Sequence, residues 1–159
     1  MTQTRLRALL NTFFAAFNAG DTAQLSQLVT DDVVLDINQE QRRVGRDAFL
    51  AFNALMRQSF KERVCSLRIH VSKDGMRAGA EYKVSGSCAF ILGENGVWSS
   101  SAQERYLLSV GSFFELRGNR IARMTAYYNE VDRIARAVPP GAQLPQSARL
   151  KQFAKQIAA

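Results

Sequence analysis

Cysteine and histidine are scarce in this chain, whose 159 residues include two cysteines and one histidine. A disulfide framework uses more cysteines than this, and a structural zinc site takes about four Cys or His ligands. Glycine-rich phosphate loops, nucleophile elbows and metal-spaced clusters are also missing from the sequence, and these motifs carry nucleotide, acyl-transfer and metal chemistry. The sequence therefore predicts a protein without a metal or another cofactor.

Long apolar runs and backbone-breaking residues are scarce as well. No run approaches the roughly 18 apolar residues of a membrane-spanning helix, and 10 glycines and 3 prolines are too few for a fibrous or low-complexity chain. Near the N-terminus, apolar residues recur at helical spacing and do not form the unbroken core of a signal peptide: Leu6, Leu9, Leu10, Phe13, Phe14 and Phe17. We expect no membrane span, no export signal and a cytoplasmic location.

Acidic residues are outnumbered, since 21 Lys and Arg against 14 Asp and Glu give a net charge of +7. A positive balance suits anionic partners. However, three of these charges lie in the tail from Pro139, and the rest of the chain has no basic run longer than Arg42-Arg43. A nucleic-acid partner is therefore not expected. We divide the chain into one domain, 1–138, and a basic tail, 139–159, whose weak apolar stripe would suit a short helix.

The order of helical and strand patterns indicates an α+β domain. Helical periodicity predicts helices at Thr4–Asn18, Thr22–Val29 and Arg46–Phe60, with Gly20 ending the first because glycine readily takes the left-handed conformation. A β-rich segment, Val33–Asn38, lies between the second and third helices. Four long antiparallel strands follow. Helices gathered before the strands predict that they pack on one face of a curved sheet.

Turn residues predict the register of two hairpins. Asp74-Gly75 favours a tight turn that pairs Lys73 with Met76. This register places Cys65 opposite Val84, facing inward and too far from Cys88 for a disulfide.

The last two strands are joined at Arg117-Gly118-Asn119, with Asn119 suited to positive φ. A three-residue turn there pairs Phe114 with Ala122 and Ser112 with Met124. That register collects apolar side chains on one face. A two-residue turn would instead place Arg123 beside Phe114.

Several segments resemble the nuclear-transport-factor-2-like superfamily and, within it, the steroid delta-isomerase-related or SnoaL-like branch. They are Phe13–Asp21, Thr30–Val34, Asp36–Gln39, Gly45–Phe49, Phe113–Ile121 and Tyr127–Asn129. The resemblance covers about residues 5 to 135. It implies a cone-shaped barrel, with a curved antiparallel sheet and three N-terminal helices packed on its concave face. It also implies a pocket between helices and sheet, and a homodimer formed through the outer sheet face.

The resemblance argues against ketosteroid isomerisation. In ketosteroid isomerases a tyrosine and a protonated aspartate hold the oxyanion while another aspartate moves the proton. The first two positions match Phe13 and Ser112, which lack those groups. The position of the catalytic base corresponds to Asp36 when the motif is aligned. It corresponds to Ile37 when residues are counted from Asp31-Asp32. We therefore expect little or no turnover of a β,γ-unsaturated ketosteroid.

Asp36 is the candidate catalytic residue. A carboxylate at the end of an apolar strand would be partly desolvated, which raises its pKa and suits a general base. The alternative is a structural carboxylate held by loop amides or by Arg42 and Arg43. Both interpretations stay open at this point.

Residues expected at or around the pocket are the candidates for ligand binding, because buried tyrosine hydroxyls need partners and aromatic rings supply apolar area. They are Phe13, Phe17, Asn38, Tyr82, Trp98, Tyr106, Ser112, Met124 and Tyr128. Turn formation is the alternative for Asn38, core packing for the tyrosines, and an exposed loop position or a dimer contact for Trp98.

Two functions follow for a cone domain that binds a small apolar or carbonyl-bearing ligand. One is a cofactor-free acid/base enzyme of isomerase or cyclase type with Asp36 as base. The other is a non-enzymatic ligand-binding or assembly module of the same fold.

Overall fold

The computed structural model describes residues 2–38, 42–88, 90–93, 96–99 and 105–129. The helices are α1 (Gln3–Ala19), α2 (Thr22–Leu28) and α3 (Arg46–Ser59). The strands are β1 (Val29–Ile37), β2 (Arg43–Val44), β3 (Phe60–Val71), β4 (Arg77–Cys88), β5 (Phe90–Gly93), β6 (Gly96–Ser99), β7 (Arg105–Arg117) and β8 (Arg120–Tyr128). The predicted basic tail, 139–159, lies outside the described residues. None of the described helices has the length and apolarity that crossing a bilayer requires.

The predicted α+β cone is confirmed. Six strands form one curved, unclosed sheet in the order β2-β1-β8-β7-β4-β3, while β5 and β6 form a separate hairpin. Neighbouring strands run antiparallel except β1 and β8, which are parallel. Aromatic side chains of α1 pack on the inner face of this sheet, where Phe14 lies 5.0 Å from Tyr82 and 5.9 Å from Phe114 between ring centroids.

Local capping explains where the first helix begins and ends and where the second begins. The Thr2 side chain accepts a hydrogen bond from the Arg5 amide at 3.3 Å and starts α1. Gly20 ends α1 with φ 69°, in the left-handed region that favours glycine. The Asp21 carboxylate accepts from the Gln24 amide at 2.8 Å and starts α2. The sequence therefore contained the signals for these boundaries.

The register of the first hairpin is confirmed only near its turn. Ile69 pairs with Ala80 as predicted, but the register shifts between Cys65 and Arg68, and Ser66 adopts φ 52°. This bulge adds one residue to β3 and exchanges the two faces of the strand beyond it. Cys65 therefore pairs with Lys83, not Val84, and its predicted inward orientation is wrong: it is an exposed free cysteine.

The predicted three-residue turn between the last two strands is also wrong. Arg117 pairs with Arg120 across a two-residue turn in which Gly118, not Asn119, takes positive φ. A register shift between Glu115 and Leu116 then pairs Phe114 with Met124. An unshifted two-residue turn would have placed Arg123 beside Phe114. The register shift instead pairs Glu115 with Arg123 and keeps the apolar side chains on the inner face.

The edge strand β3 is covered by polar side chains of α1. Asn18 accepts a hydrogen bond from the Val64 amide at 2.8 Å and donates to the Val64 carbonyl at 3.0 Å. The Arg7 guanidinium donates to the Ile69 carbonyl at 2.6 Å. An uncovered sheet edge exposes backbone groups to pairing with other chains. These bonds satisfy part of the β3 edge and hold α1 across the sheet.

Candidate functional site

A mainly apolar cavity of about 90 Å³ lies between α1, α3 and the concave face of the sheet. The two helices contribute Phe13, Phe14, Phe17, Phe49, Phe52, Asn53 and Met56 to its wall. The strands contribute Leu35, Ile37, Glu62, Val64, Tyr82, Val84, Val110, Met124, Ala126 and Tyr128. The cavity exists because alternate residues of each strand face α1 and α3, so the apolar side chains of both layers meet there.

Five of the residues predicted to bind ligand line this cavity: Phe13, Phe17, Tyr82, Met124 and Tyr128. Ser112 is buried behind the wall, where its hydroxyl shares a hydrogen bond of 2.8 Å with the Tyr82 hydroxyl. Buried polar groups are stabilised by such pairing. Ser112 therefore orients Tyr82, and a role of these six residues in binding stays a prediction.

Asn38, a predicted ligand-binding residue, does not line the cavity. Asn38 takes φ 48°. Its backbone amide donates to the Ala126 carbonyl at 3.0 Å, and its side-chain Oδ1 accepts from the Tyr128 backbone amide at 2.9 Å. These contacts match the turn-forming alternative, which asparagine adopts readily. Trp98 lies in β6, but its side chain is outside the described part of the structure.

The expected position of Asp36 at the pocket is wrong. Ile37 and Leu35 line the cavity, so the residue between them points to the other face of β1. There the Asp36 carboxylate accepts hydrogen bonds from Arg42 Nε at 2.9 Å and from Arg123 Nη2 at 2.7 Å. Counting from Asp31-Asp32, which assigned Ile37 to the inner face, was the correct alignment.

The electrostatics of Asp36 also differ from the expectation. Its side chain is 12% exposed, and burial, the largest single influence, raises the pKa of this carboxyl. The hydrogen bonds and positive charges of Arg42 and Arg123 together outweigh burial, so the pKa of Asp36 lies below its ordinary value. A carboxylate stabilised in this way is a weak base. Asp36 therefore has the properties of a structural ion-pair partner.

Glu62 is the carboxylate that the cavity does contain, and sequence reasoning missed it. It lies on β3 between Phe60 and Val64, whose side chains are buried. The Tyr106 hydroxyl donates to Glu62 Oε1 at 2.6 Å. Tyr106 does not itself line the cavity, so it contacts the site through Glu62. The available signal was the period-two spacing of Phe60, Glu62 and Val64.

Asn53 was missed as well and adds an amide to the α3 side of the cavity. Its Nδ2 donates to the Phe49 carbonyl at 2.7 Å, one turn earlier on the same helix. Within the described ranges, no group of three or more His, Cys, Asp or Glu side chains could hold a metal ion. The polar groups of the cavity are therefore an amide, a carboxylate and tyrosine hydroxyls.

Comparisons with known proteins agree with this architecture. The sequence model of the SnoaL-like domain family matches residues 10–124 of this chain. A solved structure described as a candidate polyketide cyclase from Xanthomonas campestris is 32% identical, with a TM-score of 0.78, over 87% of this chain and 100% of that chain. Another so described, from Pseudomonas putida, is 36% identical with a TM-score of 0.74, over 87% and 99%.

More distant structures share the fold alone. An LEH-like epoxide hydrolase from M. tuberculosis is 17% identical, with a TM-score of 0.66, over 84% of this chain and 90% of that chain. The comparison with curated protein sequences finds no match. The same cone thus carries proteins described by different activities, and function must be argued from the site.

Proposed function

The chain belongs to the SnoaL-like domain family, and we propose that it binds a small, mainly apolar organic molecule in the cavity between its helices and sheet. The observation that carries this proposal is the composition of the cavity wall, which is aromatic and aliphatic with a few polar groups. Ligand sites of proteins have this composition, because apolar walls supply affinity and a few polar groups fix orientation.

The size of the cavity limits the ligand. Its volume of about 90 Å³ is below the roughly 300–1000 Å³ of typical drug-sized sites. It is closer to the volume of an engineered apolar cavity of about 150 Å³ that binds benzene. The proposed ligand is therefore a molecule with one ring or a short chain, including small carbonyl compounds.

Cofactor-free acid/base chemistry of isomerase or cyclase type is the second candidate function. The observation that favours it is Glu62, a carboxylate in the wall of an apolar cavity. Relatives above 30% identity that are described as candidate polyketide cyclases support the same class. A general base must lie within reach of the substrate, and this requirement favours Glu62 over Asp36. Such an activity would be lost in Glu62→Gln and kept in Asp36→Asn.

Filling the cavity tests the binding proposal. Ala126 lines the cavity, so Ala126→Leu adds bulk where the ligand would lie. We expect Ala126→Leu to weaken toluene binding, measured by calorimetry, at least about tenfold, which corresponds to about 1.4 kcal/mol. Thr125→Leu is the matched control, since Thr125 pairs with the exposed Phe113 on the outer face. Equal binding in Ala126→Leu and wild type, with both folded by circular dichroism, would contradict the proposal.

We also propose that two chains form a twofold dimer through the outer sheet face. Phe113 and Tyr127 are 59% and 42% exposed on neighbouring strands, and their ring centroids lie 6.3 Å apart. An exposed aromatic cluster on a sheet face is typical of a protein interface. Light scattering at micromolar concentration is expected to give the mass of a dimer, and a monomer mass would refute this assembly.

A further inference from the structure

Glu62 is held in the wall of the cavity by an arrangement that spans three strands. It pairs with Gly86 of β4, and Gly86 pairs in turn with Tyr106 of β7. The Tyr106 side chain extends over Gly86 and donates its hydroxyl to Glu62 at 2.6 Å. The carboxylate position is therefore set by side chains and backbone of the sheet, not by a loop.

Gly86 makes this contact possible. A Cβ atom on Gly86 would lie 2.7 Å from the Tyr106 ring and 2.8 Å from Glu62 Cγ, closer than real Cβ atoms approach other atoms. Glycine weakens the middle of a strand, and its presence there often marks a close approach of other groups. The sequence thus leaves out a side chain at the point where Tyr106 reaches Glu62.

The chemistry of a carboxylate restricts what can lie against it. An ionised carboxylate accepts hydrogen bonds, and the Tyr106 hydroxyl is one donor that reaches Glu62. In apolar surroundings, a ligand group that cannot hydrogen-bond to a polar neighbour binds at a cost. A hydroxyl or ammonium group donates to the carboxylate, whereas a second carboxylate repels it.

We propose that Glu62, positioned by Tyr106, selects ligands in which a single ring or short apolar chain carries a hydroxyl or ammonium group. The donor group meets Glu62, and the apolar part lies against the aromatic wall that includes Phe13 and Phe17. Tyr106 is a positioning residue, since it contacts Glu62 and does not line the cavity. This inference rests on the proposed function, because it names the class of ligand for the same cavity.

A panel of four single-ring probes tests the inference by calorimetry: toluene, benzyl alcohol, benzylamine and benzoate. Toluene reports on the apolar cavity alone. We expect the wild type to bind benzylamine and benzyl alcohol about tenfold more tightly than toluene, the effect of one charge-assisted hydrogen bond. Benzoate should bind more weakly than toluene. Glu62→Gln should remove the preference for benzylamine over toluene.

Two further variants separate recognition from structure. Glu81→Gln removes the same charge from the outer face, where Glu81 pairs with His70, and should behave as the wild type. Tyr106→Phe keeps the carboxylate but loses the positioning hydrogen bond. It should reduce the ratio of benzylamine to toluene affinity, whereas a merely structural role would change both affinities alike. Tyr106→Phe also provides the test if Glu62→Gln does not fold.

The outcomes distinguish this inference from the proposed function. Toluene binding with equal benzylamine preference in wild type and Glu62→Gln would overturn the role of Glu62 and leave the cavity as the binding site. If none of the four probes binds the folded wild type, both the cavity function and the selection by Glu62 are wrong.

Discussion

Replacing Phe114 with alanine is expected to lower the free energy of unfolding by about 3–5 kcal/mol, the usual cost of truncating a fully buried phenylalanine. Phe114 is 1% exposed, and its ring centroid lies 5.9 Å from the centroids of both Phe13 and Phe14. These two rings line the cavity, so Phe114 supports its wall from behind. Urea denaturation followed by circular dichroism measures the loss.

A graded variant tests the reason for this loss. Phe114→Leu keeps a buried apolar side chain and removes less volume, so it should destabilise the protein less than Phe114→Ala. A loss below about 1 kcal/mol for Phe114→Ala, the ordinary size of a point-mutation effect, would show that the ring cluster does not anchor α1 to the sheet.

Asp36→Asn is expected to lower the free energy of unfolding by about 1–3 kcal/mol at neutral pH, because it weakens two charge-assisted hydrogen bonds to a mostly buried group. Arg42 and Arg123 would keep their positive charges without the carboxylate that now pairs with both. Since Asp36 lies outside the cavity wall, the same variant should bind toluene as tightly as the wild type.

The effect of Asp36→Asn depends on pH in a direction set by the lowered pKa. A carboxyl whose pKa is lower in the folded than in the unfolded state stabilises the protein. This stabilisation is present when the pH is above the pKa of the unfolded state, here 3.8. That stability is lost as the pH falls through the folded-state pKa, because the carboxyl is then protonated in both states. The difference between wild type and Asp36→Asn should therefore be largest near neutral pH and shrink below pH 3.8.

Asp32→Asn is the matched control for Asp36→Asn. Asp32 also pairs with an arginine, Arg117, and the hydrogen bond from Arg117 is the main reason that its pKa is lowered. Its side chain is 62% exposed, however, and exposed ion pairs contribute little. Asp32→Asn should leave the stability nearly unchanged. If Asp36→Asn kept normal stability but lost toluene binding, Asp36 would be a residue of the binding site and not a structural ion-pair partner.

The elements of the fold were predictable because local signals set them. The predicted first helix, Thr4–Asn18, differs by one residue at each end from Gln3–Ala19. Gly20 and Asp21 act at the boundaries for which their residue types are suited. The resemblance to a known superfamily supplied the arrangement of these elements, which no local pattern contains.

The site was only partly predictable, because strand registers depend on bulges that the sequence marks weakly. A bulge moves every side chain on its far side from the turn to the opposite face. The bulge at Ser66 places Cys65 outside and Glu62 inside, the reverse of an unbroken alternation. For Asp36, the motif match indicated the wrong residue and the count from Asp31-Asp32 the right one, because Leu35 and Ile37 line the cavity.

The methionine side chains allow the most direct test of the claim that the cavity is the binding site. Met56 and Met124 line the cavity, whereas Met76 is 46% exposed at the turn between β3 and β4. With ¹³C-labelled methionine methyl groups, a titration with toluene followed by NMR reports on all three positions. We expect saturable shifts of the Met56 and Met124 resonances and an unchanged Met76 resonance. Shifts confined to Met76, or none at Met56 and Met124 at millimolar toluene, would contradict the account.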